Sequence, residues 1–220
     1  MLNKLWALSM VMFISSAAVA ADNKIYIDQV GDNLNLTLTQ TGTSNRVGLS
    51  NERSTLTGNG QTVDITQDGS TNSIDMNVTG NDATVELSQT GSGNELTLNC
   101  GDITSCASAE IRSLVTGDYN TTTFTGNASD LKYVETIIGD YNTSVVTMTG
   151  SKGTILSTLT GSTNQVTVTQ SATDMLGSEV TLDMTGSNNL VNITQEGTDQ
   201  QILDITTDGD NQTITVHQSN

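Results

Sequence analysis

The chain has 220 residues, enough for one domain, yet only 3% are aromatic and none is proline, an odd composition for a compact globule built on bulky rings and long helices. A formal net charge of −17 repels phosphate and anionic lipid, so neither nucleic acid nor membrane insertion is expected.

Residues 1–21 read as a secretory leader. Lys4 supplies the positive end, Leu5 to Ile14 is a short apolar run, and Ala18-Val19-Ala20 is a small-residue cleavage signal, with cleavage after Ala20 or Ala21. An apolar run of roughly ten residues cannot span a bilayer. The exported chain, residues 22–220, is expected to form one repeat domain.

After the leader, glycines set the rhythm. Gly31, Gly42, Gly58, Gly69, Gly80, Gly91, Gly117, Gly139, Gly150, Gly161, Gly186 and Gly197 mark turns, and those from Gly58 to Gly91 and from Gly139 to Gly161 advance in steps of eleven. Asn, Asp, Ser or Thr stands beside each, as turns prefer. Between the glycines the chain alternates with period two. Gln61, Val63, Ile65 and Gln67 share one face, and Thr62, Asp64 and Thr66 the other.

A shift of twenty-two brings like onto like: Val63 on Val85, Ile65 on Leu87, Ile74 on Leu96, Met76 on Leu98. A hairpin meander has no reason to repeat residues at that offset, whereas stacked coils do. The expected fold is therefore all-β, a β-solenoid of about eight strand–turn–strand–turn coils of about 22 residues, one coil every ~4.8 Å, with a thin core of Val, Ile and Leu. Insertions interrupt the period at residues 46–57, 101–116 and 173–185.

Inward amides recur at fixed offsets from the turns. Asn stands three places after it at Asn45, Asn72, Asn94, Asn120, Asn142, Asn164 and Asn189; Gln stands two places before it at Gln29, Gln40, Gln67, Gln89, Gln170 and Gln195. An amide both donates and accepts, so stacked copies can hydrogen-bond along the axis and satisfy the turn backbone. Left unpaired in a core, each would cost roughly 1–3 kcal/mol, so ladders are expected. Cys100 and Cys106 are the only cysteines and sit close enough to close a local loop in an exported chain.

Gln40-x-Gly42-x-x-Asn45, Gln67-x-Gly69-x-x-Asn72 and Gln89-x-Gly91-x-x-Asn94 resemble the curlin repeat, a strand ending in Gln, a Gly turn, and Asn opening the return strand. Gly117-Asp-Tyr-Asn120 and Gly139-Asp-Tyr-Asn142 are similar to its turns. The resemblance implies a subunit of extracellular amyloid fibres, with copies of itself or related subunits and an outer-membrane secretion machinery as partners, serving adhesion and biofilm matrix. The sequence departs from the repeat where Leu56, Val78, Phe124, Met148 and Met184 replace Gln, and where Val47, Ile74, Leu96, Val166 and Val191 replace the small residue two places after Asn.

Other readings are weaker on composition. Carbohydrate chemistry wants clustered acids, bases and aromatic platforms, and the one histidine, His217, forms no nucleophilic set. Outward Thr-x-Thr pairs such as Thr37/Thr39 and Thr158/Thr160 suggest a solenoid that binds ice or polysaccharide without polymerising, but they do not hold one row. Asp32, Asp68, Asp118, Asp140 and Asp210 hold no constant offset, so neither a calcium site nor any cofactor is expected. Strand patterning from Ile25 to Gln218 leaves the coil edges open to pair with other chains, and acidic rows such as Asp64 beside Glu86 are expected to slow that pairing.

Overall fold

The computed structural model describes residues 11–15, 24–48, 51–101, 106–149, 152–171, 178–197 and 201–219. Gly150 and most of the predicted leader lie outside the described residues. Among those described there is no helix.

The strands in chain order begin with β1 (Val11–Ser15), β2 (Asp28–Val30), β3 (Asn35–Thr39), β4 (Ser54–Thr57) and β5 (Thr62–Thr66). There follow β6 (Ile74–Thr79), β7 (Thr84–Gln89), β8 (Leu96–Cys100), β9 (Glu110–Val115) and β10 (Thr122–Gly126). The last are β11 (Lys132–Ile137), β12 (Thr147–Met148), β13 (Thr154–Leu159), β14 (Ser178–Met184) and β15 (Gln201–Thr207). They form two parallel walls. One is nine-stranded in the order β1-β3-β5-β7-β9-β11-β13-β14-β15, the other six-stranded in the order β12-β10-β8-β6-β4-β2. From β1 to β13 the strands go alternately to the two walls, β14 and β15 both extend the nine-stranded wall, and each strand pairs with its counterpart one coil away. That is a β-solenoid.

The register is the one the twenty-two-residue offset requires. Val63 pairs with Val85 and Ile65 with Leu87 on one wall; Ile74 pairs with Leu96 and Met76 with Leu98 on the other. These side chains are almost wholly buried, and their intervening neighbours face out. The core is thus a set of rows running along the axis. One row is Leu36, Val63, Val85, Ile111, Tyr133, Ile155, Val180 and Leu203. Aromatic residues enter the core after all: Phe124 and Tyr133 stack between the walls with ring centroids 4.3 Å apart, and both are fully buried.

About seven turns repeat at a mean of about 23 residues, against the eight of about 22 read from glycine spacing. Steps of 27, 26 and 25 residues at three places lengthen the mean. The 26- and 25-residue steps carry their extra length at corners, after Cys100 and after Gln170, where it costs only a logarithm in closure entropy. The 27-residue step carries it inside the second wall, between Val47, opposite Ile74, and Ser54, opposite Met76, and the rows stay aligned across all three. The glycines are fixed by close approach. A Cβ placed on Gly69 would lie 1.4 Å from the carbonyl oxygen of Gly42, and one on Gly91 equally close to that of Gly69. Only a residue without a side chain can stack there.

Within the predicted leader, β1 pairs in parallel with β3, Met12 opposite Leu36 and Ile14 opposite Leu38. At the other end β15 pairs with β14 on one side and with no strand on the other among the described residues. Ile202, Ile214 and Val216 of that last coil are exposed.

Because Ile65 is stacked between Leu38 and Leu87 with no exposure, Ile65→Ala should lower stability by about 2–5 kcal/mol. The outward Thr62→Ala on the same strand should change it by no more than about 0.5 kcal/mol. Denaturant titration of the monomer reads both.

Candidate functional site

The amides meet at the corner where the chain passes from the first wall to the second. Asn72 Nδ2 donates to Asn45 Oδ1 at 2.8 Å, and the pattern continues through Asn94 (2.7 Å), Asn120 (2.7 Å), Asn142 (2.7 Å), Asn164 (2.6 Å) and Asn189 (2.6 Å). Each of these Nδ2 groups also donates to the carbonyl of the glycine three residues before it, from Gly42 to Gly186. One amide therefore closes its own turn and ties it to the coil before. All seven asparagines are buried. The ladder has a direction, since every donor points toward the lower-numbered coil.

The glutamines form two rows, not one. Gln40, Gln67 and Gln89 share the corner before Gly42, Gly69 and Gly91, and the row continues as Val115, since Gln89 lies opposite Val115 in the register. Gln170 and Gln195 lie at the opposite corner and bond at 3.0 Å. In the first row Gln40 donates to Gln67 at 2.6 Å. The Gln40, Gln67 and Gln89 amides donate to the carbonyls of Arg46, Ser73 and Glu95, while Gln89 Oε1 is left without a partner. Glutamine therefore mainly fastens the loop that crosses the corner, and asparagine carries the continuous ladder. Cys100, in the row that contains Val78 and Gly126, is disulfide-bonded to Cys106, and both are buried.

The residue that the periodicity did not bring forward is Glu135. Its row reads Leu38, Ile65, Leu87, Ser113, Glu135, Ser157, Leu182 and Ile205, apolar except for three consecutive coils. The carboxylate is buried and accepts hydrogen bonds from Tyr133 Oη (3.0 Å), Ser144 Oγ (2.5 Å) and Ser157 Oγ (3.1 Å). Burial raises its pKa from the ordinary 4.5, against the hydroxyl donors Ser144, Tyr133, Ser157 and Thr122, which lower it. Tyr133 is pushed well above 10.0 by burial and by the adjoining Glu135. The signal available beforehand was the pair Thr122 and Ser144: these two coils keep a small residue two places after Asn, and their hydroxyls face the carboxyl from the other wall.

On the outside, the charges pair locally. Arg53 meets Asp75 at 2.9 Å, and Glu110 meets Arg112 at 2.8 Å and Lys132 at 3.1 Å. Asp64 stands opposite Glu86, which in turn stands opposite Arg112. The threonine rows are broken, Thr37 by Asp64 and Thr158 by Asp183. Among the described residues no group of three His, Cys, Asp or Glu side chains is placed to hold a metal ion.

The fold is thus a parallel solenoid with an asparagine ladder behind one column of glycine turns, from Gly42 to Gly186. Residues 58–91, one and a half coils from Gly58 to Gly91, match the family model of the curlin associated repeat. No curated protein and no solved structure matches the chain.

Two outcomes follow. Asn94→Ala removes bonds to Asn72, Asn120 and Gly91 together and should cost on the order of 1–3 kcal/mol, more than Gln89→Ala, with Ser88→Ala within about 0.5 kcal/mol. Chemical denaturation ranks the three. For Glu135, the folded chain binds its proton more tightly than the unfolded chain does, so its contribution falls as pH rises from 4.5 through the raised folded value. Glu135→Gln should remove that part of the pH dependence, gaining most over the wild-type chain at neutral pH. Denaturant midpoints of the two chains across pH 4–8 measure the difference, which should shrink on acidification.

Proposed function

We infer that this chain is a secreted structural protein, a subunit of curli-like extracellular amyloid fibres that serve adhesion and biofilm matrix. The observation that carries the reading is that, among the described residues, the outer edge of residues 202–207 in β15 pairs with no strand, in a solenoid whose rows repeat end to end. Leu203 and Ile205 continue the rows that begin at Leu36 and Leu38. Gly209 is packed against Gly186 in the turn column that starts at Gly42, and Gln212 donates to the carbonyl of Gly209 at 2.7 Å as the asparagines do in the earlier turns.

The last coil of one copy therefore offers the first coil of another the surface that each inner coil already offers its neighbour. Unpaired backbone groups on an exposed edge are a template for exactly such addition by a parallel strand. The direction of the ladder makes the addition head to tail, giving an open filament and not a closed dimer. Loss of the leader would remove β1 from the edge of β3 and free the other end. Export through an outer-membrane machinery and co-assembly with related curlin-type subunits belong to the same reading.

The exported chain, residues 22–220, should form thioflavin-binding fibres with a ~4.8 Å repeat along the fibre axis. Ile205→Pro, which removes a backbone donor at the exposed edge, should stop elongation while leaving the monomer folded. A chain that stays monomeric at high concentration, or a proline variant that elongates normally, overturns the reading.

A further inference from the structure

Two of the four tyrosines lie outside the core on consecutive coils, with no role in the ladders or the fold. Tyr119 and Tyr141 each follow a Gly-Asp pair at the turn, 60% and 56% exposed, with ring centroids 5.2 Å apart and planes within 4° of parallel. Their backbones are pinned: Tyr119 N donates to Ser92 O at 3.0 Å, Tyr141 N donates to Asp118 O at 2.8 Å, and the next residues, Asn120 and Asn142, are bonded rungs of the ladder. The backbone is held in register while the stacked rings stand outside the core, more than half exposed.

We propose that Tyr119 and Tyr141 form an oxidative cross-linking site, at which a one-electron oxidant of the haem-peroxidase class, using hydrogen peroxide, joins them as dityrosine. Each phenol gives up one electron and its hydroxyl proton, leaving a phenoxyl radical with spin on the ring carbons ortho to oxygen. The two ortho carbons form one carbon–carbon bond, and each ring then moves its displaced hydrogen to its own oxygen and regains aromaticity. Two hydrogens leave the protein, and one peroxide becomes two waters. Holding the partners on one scaffold makes the coupling intramolecular and far more frequent than a chance encounter.

The other two tyrosines serve differently. Tyr133 is fully buried against Glu135 and Phe124, out of reach of an enzyme surface. Tyr26 is exposed, but it stands in the first coil without an aromatic neighbour among the described residues. The cross-link would staple one coil step to the next beside the polar core layer. It constrains the unfolded chain and so resists unravelling of the solenoid at that point.

The test treats dilute, monomeric exported chain with a haem peroxidase and hydrogen peroxide. Dityrosine fluorescence should appear with a monomer mass lower by two hydrogens. Trypsin cuts after Arg112, Lys132 and Lys152, so peptide 113–132, whose one tyrosine is Tyr119, should emerge bonded to peptide 133–152. Tyr119→Phe and Tyr141→Phe keep the ring stack and the fold and should each abolish the product, whereas Tyr26→Phe should leave it unchanged. The cross-linked monomer should also unfold at higher denaturant than the untreated one. Product that persists in Tyr119→Phe, that appears only as covalent dimer, or that fails to form in the wild-type chain overturns the proposal. None of these outcomes depends on whether fibres form.

Discussion

The core and the turns of this protein follow from one constraint: each inward side chain must be satisfied by the residue at the same place one coil away, about 4.8 Å along the axis. Apolar residues meet that condition easily, because Val on Val or Ile on Leu merely excludes water. Polar ones meet it only by repeating. Asparagine does so from Asn45 to Asn189, its donor reaching the previous acceptor while the same nitrogen closes its turn. Glycine meets it by having no side chain, so that carbonyls of successive turns can approach the Cα above. Where the condition fails, as at Gln89 Oε1 and Gln61, buried polar atoms stand without partners.

That constraint also decides what the sequence shows. Where successive coils are 22 residues apart, a single shift exposes the rows, and Val63/Val85 or Asn72/Asn94 could be paired by inspection. Where the step is 27, 26 or 25 the shift fails, although the rows continue. Ser113, Glu135 and Ser157 are themselves 22 apart, but the 26-residue step before them hides that they continue the buried row of Leu38, Ile65 and Leu87, so Glu135 reads from the sequence as an ordinary surface charge. The two glutamine rows were merged for a different reason. Both stand two places before a turn, and local spacing does not say which corner a turn occupies. Phe124 and Tyr133 were unexpected because 3% aromatic content describes the whole chain, and two rings suffice to fill one layer of a narrow core.

Stability is consequently uneven along the axis. Inner coils are paired on both sides, and one wall keeps regular strands to β15 while the other thins after β12, its later hydrogen bonds lengthening to 3.2–3.4 Å. The last coil has half the pairing of any inner one and exposes Ile202, Ile214 and Val216. A single polar layer around Glu135 lies within the most regular part, where stacking on both sides holds its hydroxyl donors in place. The end-on assembly proposed above would use this gradient, since the weakest coil gains the most when another copy covers it.

Residue-resolved amide hydrogen exchange, on monomer and on assembled protein, tests the end-on account most directly. In the monomer the inner strands β5 to β13 should be protected, while the outer edge of β15 and residues 208–219 exchange quickly. Assembly should slow exchange at that last coil and at β2 and β3, with little change elsewhere. If assembly instead protects outward-facing wall residues, or leaves the last coil exchanging as before, copies do not add at the coil ends and the account is wrong.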